Sequence, residues 1–68
     1  MKLSARNQFK GTVVEIKEGA VEAQVSIDVD GLKVVSVVTM DAVAELGLAA
    51  GSEVVAVVKA DDVFLAVE

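Results

Sequence analysis

The sequence predicts a single all-β domain, with five short antiparallel strands and one short helix between strands three and four. Three observations support this prediction. Five glycines and no proline divide the 68 residues into short segments. Most of these segments are rich in valine, which favours extended backbone. One segment is instead rich in alanine, leucine and glutamate, which favour a helix. The length allows one domain, residues 1–68.

The first three strands are predicted from turn signals and alternation. We predict strand one over residues 7–17, followed by a turn at Glu18-Gly19. Strand two, residues 20–29, alternates apolar and polar residues, which is typical of a strand with one buried face. Asp30-Gly31 then predicts a tight hairpin, because both residue types tolerate positive φ. Strand three follows over residues 32–39.

The second half of the chain begins with the helix, which we predict over residues 41–47. Thr39 or Asp41 can cap its start, and Gly47 can end it. Strand four is predicted over residues 53–59, and strand five over residues 63–67 after a turn. This order of elements is that of an OB-fold, a small five-stranded Greek-key barrel.

Valines occupy both faces of predicted strands three and four. They are Val34, Val35, Val37 and Val38 on one strand and Val54, Val55, Val57 and Val58 on the other. The outer face of a small barrel should be polar where water covers it. A chain this short also lacks cysteine for the disulfides that stabilise many small domains. We therefore predict a homo-oligomer; the alternative is that valine is only a good strand former.

The composition argues against enzymes and cation sites. Histidine and cysteine are absent, which removes the usual general base, thiol catalysis and the commonest metal ligands. Asp61-Asp62 is better explained as a solvated turn than as an acid–base pair. The segment 28–31 lacks the further oxygen ligands of a calcium loop. We predict no catalysis, no bound metal cation and no cofactor.

The charge balance argues against polyanionic partners. Eleven acidic residues against six basic ones give a net charge of -5, which opposes binding to nucleic acid or an anionic membrane. The two aromatics, Phe9 and Phe64, are too few for a base-stacking surface, and we expect them in a core or an interface. No apolar run is long enough to span a membrane, and residues 1–4 do not resemble a signal peptide. We expect a soluble cytoplasmic protein.

Two short stretches carry hydrogen-bond donors beside small residues. Ser4-Ala5-Arg6-Asn7-Gln8 combines a hydroxyl, a guanidinium and two amides, and Ala5 would let a ligand approach the backbone N–H groups. Lys59-Ala60-Asp61 is a second such stretch, where strand four ends. A tetrahedral oxyanion needs many donors, which these residues could supply. Polar residues near a terminus are also commonly just solvated, so both explanations stay open.

The same opening residues carry a family resemblance. The run Ser4-Ala5-Arg6-Asn7-Gln8-Phe9-Lys10-Gly11-Thr12-Val13 resembles the start of the molbindin (Mop) family, a molybdate-binding module also found in TOBE domains. The likeness covers essentially the whole chain, through residues 19–25, 36–39, 45–48, 51–54 and 57–63. It implies an OB-like subunit of a hexamer that binds molybdate or tungstate between subunits, for intracellular storage and homeostasis of molybdenum. Alternatives are an oxyanion-sensing regulatory or protein-interaction module and, less favoured, a binder of the pterin cofactor.

The resemblance also implies site residues. Three would bind the oxyanion from one subunit: Ser4, Ala5 and Arg6. Two would bind it from a neighbour: Lys59 and Ala60. Three match the turn of a second oxyanion site near the symmetry axis: Gly19, Ala20 and Val21. The family often has Ser or Thr where this chain has Asp61, and a carboxylate there cannot donate to a dianion.

Overall fold

A computed structural model describes residues 4–68. The elements in chain order are β1 (Asn7–Glu18), β2 (Glu22–Val29), β3 (Leu32–Thr39), α1 (Met40–Leu46), β4 (Glu53–Val58) and a 3-10 turn (Ala60–Asp62). The strands form one antiparallel sheet in the order β3-β2-β1-β4. The predicted all-β class is confirmed, as is the position of the helix.

Strand β1 pairs with different neighbours along its length. Residues 7–12 pair with β4 and residues 12–18 pair with β2, with a bulge between Val13 and Glu15. At the bulge the Val13 N–H donates to the Ser52 carbonyl at 2.9 Å, and the Val13 carbonyl accepts from the Gly51 N–H at 2.8 Å. A bulge bends its strand, and here the bend lies at the fully buried Val13.

The core lies on one face of this sheet. Val13, Val25 and Ile27 are buried together, and Leu48 and Val54 pack against them. The apolar residues of strand two are buried as predicted at Ala23, Val25 and Ile27. The prediction is wrong for Ser26, which belongs to the polar set but is only 2% exposed, beside the bulge where it pairs with Glu15. Val21 was expected on the same face, but it is 71% exposed because β2 begins only at Glu22.

The turns follow the predicted chemistry. Asp30 and Gly31 both have positive φ, 50° and 88°, and the Gly31 N–H donates to Asp28 Oδ1 at 3.1 Å. The Ala42 N–H donates to the Thr39 hydroxyl at 3.0 Å, which caps the start of α1. Gly47 ends the helix with a left-handed φ of 63°.

The fifth strand is not formed within the chain. Residues 63–68 belong to no strand, and Phe64, Leu65 and Val67 are 92%, 93% and 98% exposed. Residues 4–68 therefore form a four-stranded sheet whose edges are β3 and β4, rather than the predicted five-stranded Greek-key barrel. A strand needs a partner edge, and the extended chain that leaves the 3-10 turn pairs with neither edge. Both aromatic residues were expected in a core or an interface; Phe64 at 92% and Phe9 at 43% exposure are not in the core of this chain, so the interface stays a prediction for them.

An apolar groove of about 230 Å³ remains open between the two edge strands. It is lined by Val34, Val35, Val38, Leu48, Val54, Ala56 and Val58, among others. Among the valines predicted on both faces of strand three, Val35 is 50% exposed and Val37 is 62% exposed. No helix formed by residues 4–68 has the length and apolar character needed to cross a membrane.

Candidate functional site

The strand register brings the two donor-bearing stretches together. Asn7, the first residue of β1, pairs with Val58, the last residue of β4. Because the strands are antiparallel, the chain before Asn7 and the chain after Val58 leave the sheet at the same end. Residues 4–6 therefore meet residues 59–61, although more than fifty positions separate them in sequence.

These residues line one open pocket of about 330 Å³. Its lining is Ser4, Ala5, Arg6, Lys59, Ala60 and Asp61. All but the half-buried Ala5 are exposed. The Gln8 side-chain amide donates to the Ala5 carbonyl at 2.9 Å, which folds the N-terminal segment back toward the start of β1. The five residues predicted for the first oxyanion site thus lie together, with Asp61 as the sixth member.

The 3-10 turn begins on the β4 side of this pocket with backbone amides that bond to no carbonyl of residues 4–68. In the 3-10 turn the Asp62 N–H donates to the Lys59 carbonyl at 3.0 Å, and the Val63 N–H donates to the Ala60 carbonyl at 3.3 Å. The N–H groups of Ala60 and Asp61 come before these bonds, as the first amides of any helical turn do. They can therefore donate to a ligand without breaking the turn.

The charge of the pocket suits an anion. Arg6 and Lys59 place two cationic side chains in the lining, against one carboxylate, Asp61. Arginine offers five donors in a rigid fork and lysine three, which suits the oxygens of a tetrahedral oxyanion. The pocket is therefore locally positive on a chain with a net charge of -5.

A larger open cleft has the opposite character. It is lined by Lys10, Gly11, Thr12, Asp28, Asp30, Glu53, Val54 and Val55, so three carboxylates face one lysine. The sequence analysis missed this cleft, because Glu53 meets the hairpin residues only through the pairing of β1 with both neighbours. Residues 4–68 contain no group of three acidic, histidine or cysteine side chains that could hold a metal ion. The cleft repels oxyanions and is not an alternative site for them.

The residues predicted for a second site lie elsewhere. Gly19, Ala20 and Val21 connect β1 to β2, at the end of β1 opposite to the pocket, and all three are exposed. The Gly19 N–H donates to the Glu22 carbonyl at 2.9 Å, and the Val21 carbonyl accepts from the Met40 N–H at 2.8 Å. The turn is ordered by these bonds, but one chain does not bring it near the first pocket.

Comparison with known proteins places the chain among molybdenum-binding relatives. A family model described as the TOBE domain matches residues 3–65. The probable molybdenum-pterin-binding protein of Haemophilus influenzae is 51% identical over 69 residues and is covered completely, as is this chain. Molybdenum-pterin-binding protein 2 of Clostridium pasteurianum is 47% identical over 66 residues, covering 96% of this chain and 97% of that protein.

Solved structures agree with this. The molybdate-binding protein of Sporomusa ovata has a TM-score of 0.93 and 41% identity, covering 97% of this chain and 98% of that one. The molybdate-bound structure of ModG, described as a cytoplasmic molybdate-binding protein, has a TM-score of 0.85 and 61% identity over 88% of this chain and 43% of its own.

The sequence also matches part of a larger protein. The molybdenum transport protein ModE of Azotobacter vinelandii is 45% identical over 69 residues, which cover all of this chain and 26% of ModE.

Proposed function

The chain belongs to the TOBE domain family, with the molybdenum-pterin-binding (Mop) proteins among its relatives, and from this premise we propose that it binds molybdate or tungstate. The protein serves intracellular storage and homeostasis of molybdenum in this proposal, as a homo-oligomer and without catalysis. A cytoplasmic location is supported by the description of the related ModG.

One observation carries the proposal. The strand register places Ser4, Ala5 and Arg6 against Lys59 and Ala60 around one pocket. A hydroxyl, a guanidinium, an ammonium and backbone amides then surround a space open to a small ion. A relative 61% identical over 88% of this chain is described with molybdate bound.

An acidic protein can hold a dianion when the field is local. At physiological salt, charges more than about 8 Å apart are largely screened by solvent ions. The carboxylates of the acidic cleft lie on other parts of the sheet, whereas Arg6 and Lys59 line the pocket itself. A hydrogen bond to a charged group contributes about 1.5–3 kcal/mol, so a few such bonds outweigh the screened repulsion.

The homo-oligomer is supported by two unpartnered apolar features. The groove between β3 and β4 is open, and the C-terminal segment, residues 63–68, exposes Phe64, Leu65 and Val67 almost completely. Exposed apolar side chains grouped in this way are typical of a protein–protein interaction site. We infer that the C-terminal segment of a second copy adds the fifth strand to this groove, which would complete the predicted barrel between two chains.

The oxyanion sites then lie where subunits meet. The pocket is shallow and its polar side chains are exposed, so one chain provides only part of a closed shell around an ion. We propose that the subunits form a hexamer and that neighbouring copies complete each site. The assignment of Ser4–Arg6 and Lys59–Ala60 to different subunits stays a prediction, since both stretches already meet within one chain. A second site at Gly19, Ala20 and Val21 also stays a prediction.

Calorimetric titration with molybdate tests the proposal. Arg6→Ala should weaken binding by about 10- to 100-fold, because it removes a hydrogen bond to a charged ligand worth about 1.5–3 kcal/mol. Lys17→Ala is the matched control, since it removes an exposed cation at the far end of β1 and should leave binding unchanged. The absence of any heat with millimolar molybdate or tungstate would refute the proposal.

A regulatory module is the second candidate. ModE contains a stretch 45% identical to this entire chain within a protein about four times longer, so the same domain also occurs inside larger chains. An oxyanion sensor would capture a protein partner only when molybdate is present. A pull-down with and without molybdate separates the two functions.

The pterin alternative is disfavoured by the aromatic residues. Phe9 and Phe64 are the only two in the sequence, and neither lines the pocket. A flat heterocycle would need an apolar or aromatic wall that these residues do not provide.

A further inference from the structure

Within residues 4–68, Asp61 is the one acidic residue in the lining of the oxyanion pocket. It belongs to the same 3-10 turn as Ala60, which also lines the pocket. The charged groups around it among the described residues are Arg6 from the N-terminal segment, Lys59 at the end of β4 and Asp62 within the turn. Asp62 is exposed and does not line the pocket, which makes it a natural control.

A carboxylate and a fully deprotonated oxyanion are poor neighbours. Both are acceptors only, so they cannot form a hydrogen bond with each other, and their charges repel. One added proton removes the conflict, because the protonated partner becomes a donor to the other. An O–H···O⁻ bond of this kind is short and strong compared with a neutral hydrogen bond.

Resting on the proposed function, we propose that Asp61 makes the pocket selective for oxyanions that bind together with a proton, and that it thereby excludes sulfate. The proton comes from solvent and lies between a carboxylate oxygen of Asp61 and one oxygen of the bound anion. No covalent bond to the central atom breaks and no electron is transferred. Molybdate and tungstate oxygens are more basic than those of sulfate, so they share a proton more readily.

This selectivity has two measurable consequences. Molybdate affinity should rise as the pH is lowered, because each molybdate binds together with a proton. Asp61→Asn replaces the acceptor by a side chain that can donate, so it should remove the proton uptake. It should also strengthen sulfate binding by about thirtyfold, because a charge repulsion with a dianion at contact distance is lost.

The experiment compares the full-length protein with Asp61→Asn and with Asp62→Asn as control. Titration calorimetry with molybdate at pH 7, in two buffers of different ionisation enthalpy, counts the protons taken up, and sulfate is titrated in parallel. We expect about one proton per molybdate for the unmodified protein and for Asp62→Asn, and about none for Asp61→Asn. We expect sulfate to bind about thirtyfold more tightly to Asp61→Asn than to the other two proteins.

The failure of this inference differs from the failure of the proposed function. Molybdate binding without proton uptake in the unmodified protein, or equal sulfate rejection by both Asp61→Asn and the unmodified protein, would overturn the role of Asp61 and leave oxyanion binding in place. No molybdate binding by any of the three proteins would overturn the proposed function and this inference together.

Discussion

The exposed C-terminal segment provides a quantitative test of assembly. Phe64 is 92% exposed in the single chain, and burial of a phenylalanine side chain contributes about 1.5–3 kcal/mol. Phe64→Ser removes most of this contribution. Where two copies exchange segments the interface loses it twice, about 3–6 kcal/mol, so the dissociation constant should rise by about 10²- to 10⁴-fold.

Native mass spectrometry and sedimentation velocity over a dilution series measure this change. The unmodified protein should remain assembled at concentrations where Phe64→Ser dissociates. Leu32→Ser is the matched control, because Leu32 is a large apolar residue, 65% exposed, at the β2–β3 hairpin and outside the groove lining. Circular dichroism shows whether each variant keeps its β-structure.

The reasoning fails if Phe64→Ser and the unmodified protein dissociate at the same concentration. It also fails if Leu32→Ser weakens assembly as much as Phe64→Ser does. Either result would mean that the C-terminal segment is not seated in an apolar groove of another copy.

Three further predictions concern the fold and the pocket. Gly11→Ala should cost about 1–3 kcal/mol of stability in thermal unfolding, because its Cβ would lie 2.7 Å from both the Asp28 carbonyl oxygen and a methyl of Ile27; an unchanged midpoint would contradict this. Thr39→Ala should cost about 1 kcal/mol through loss of the helix cap, and Thr39→Ser should restore it. Ala60→Leu should fill the pocket and weaken molybdate binding at least about tenfold in calorimetry, with little change in melting temperature because residue 60 is exposed.

Local features of the fold were predictable where one residue type meets one backbone requirement. The hairpin at Asp30-Gly31 needs positive φ at both positions, and these residues supply it. The Thr39 hydroxyl can accept a hydrogen bond from an amide in the first turn of a helix, which makes it an N-cap. Gly47 can end the helix because glycine readily adopts the left-handed conformation that it has here. The alternation of β2 likewise predicted the burial of Val25 and Ile27.

The features that depend on a distant partner were not predictable from local pattern. Residues 63–67 have the composition of a strand, but a strand forms only beside an edge, and the sequence does not say whether that edge belongs to the same chain. The bulge between Val13 and Glu15 depends on the loop that bonds to Val13. The acidic cleft could not be predicted either, because Glu53 comes near the hairpin residues only when β1 pairs with both β2 and β4.

The candidate site was predictable only in parts. The donor chemistry of Ser4-Ala5-Arg6 and of Lys59-Ala60 could be read from the residues, but their proximity is a consequence of the pairing of Asn7 with Val58. The identity of the ligand could be predicted only from the family resemblance, because hydroxyl, guanidinium and ammonium groups suit many anions equally.

The pairing of Asn7 with Val58 also links ligand binding to the stability of the backbone hydrogen bonds between β1 and β4. An ion that bonds to both sides of the pocket holds together residues 4–6 and residues 59–61, which lie just beyond the last residue pair between β1 and β4. The hydrogen bonds of this pair would otherwise be the first to open. Saturation with molybdate should therefore slow amide hydrogen exchange at the outer rungs, residues 7–10 and 55–58, more than in the β2–β3 hairpin. The bound anion would thus stabilise the pairing of β1 and β4 where β1 begins and β4 ends.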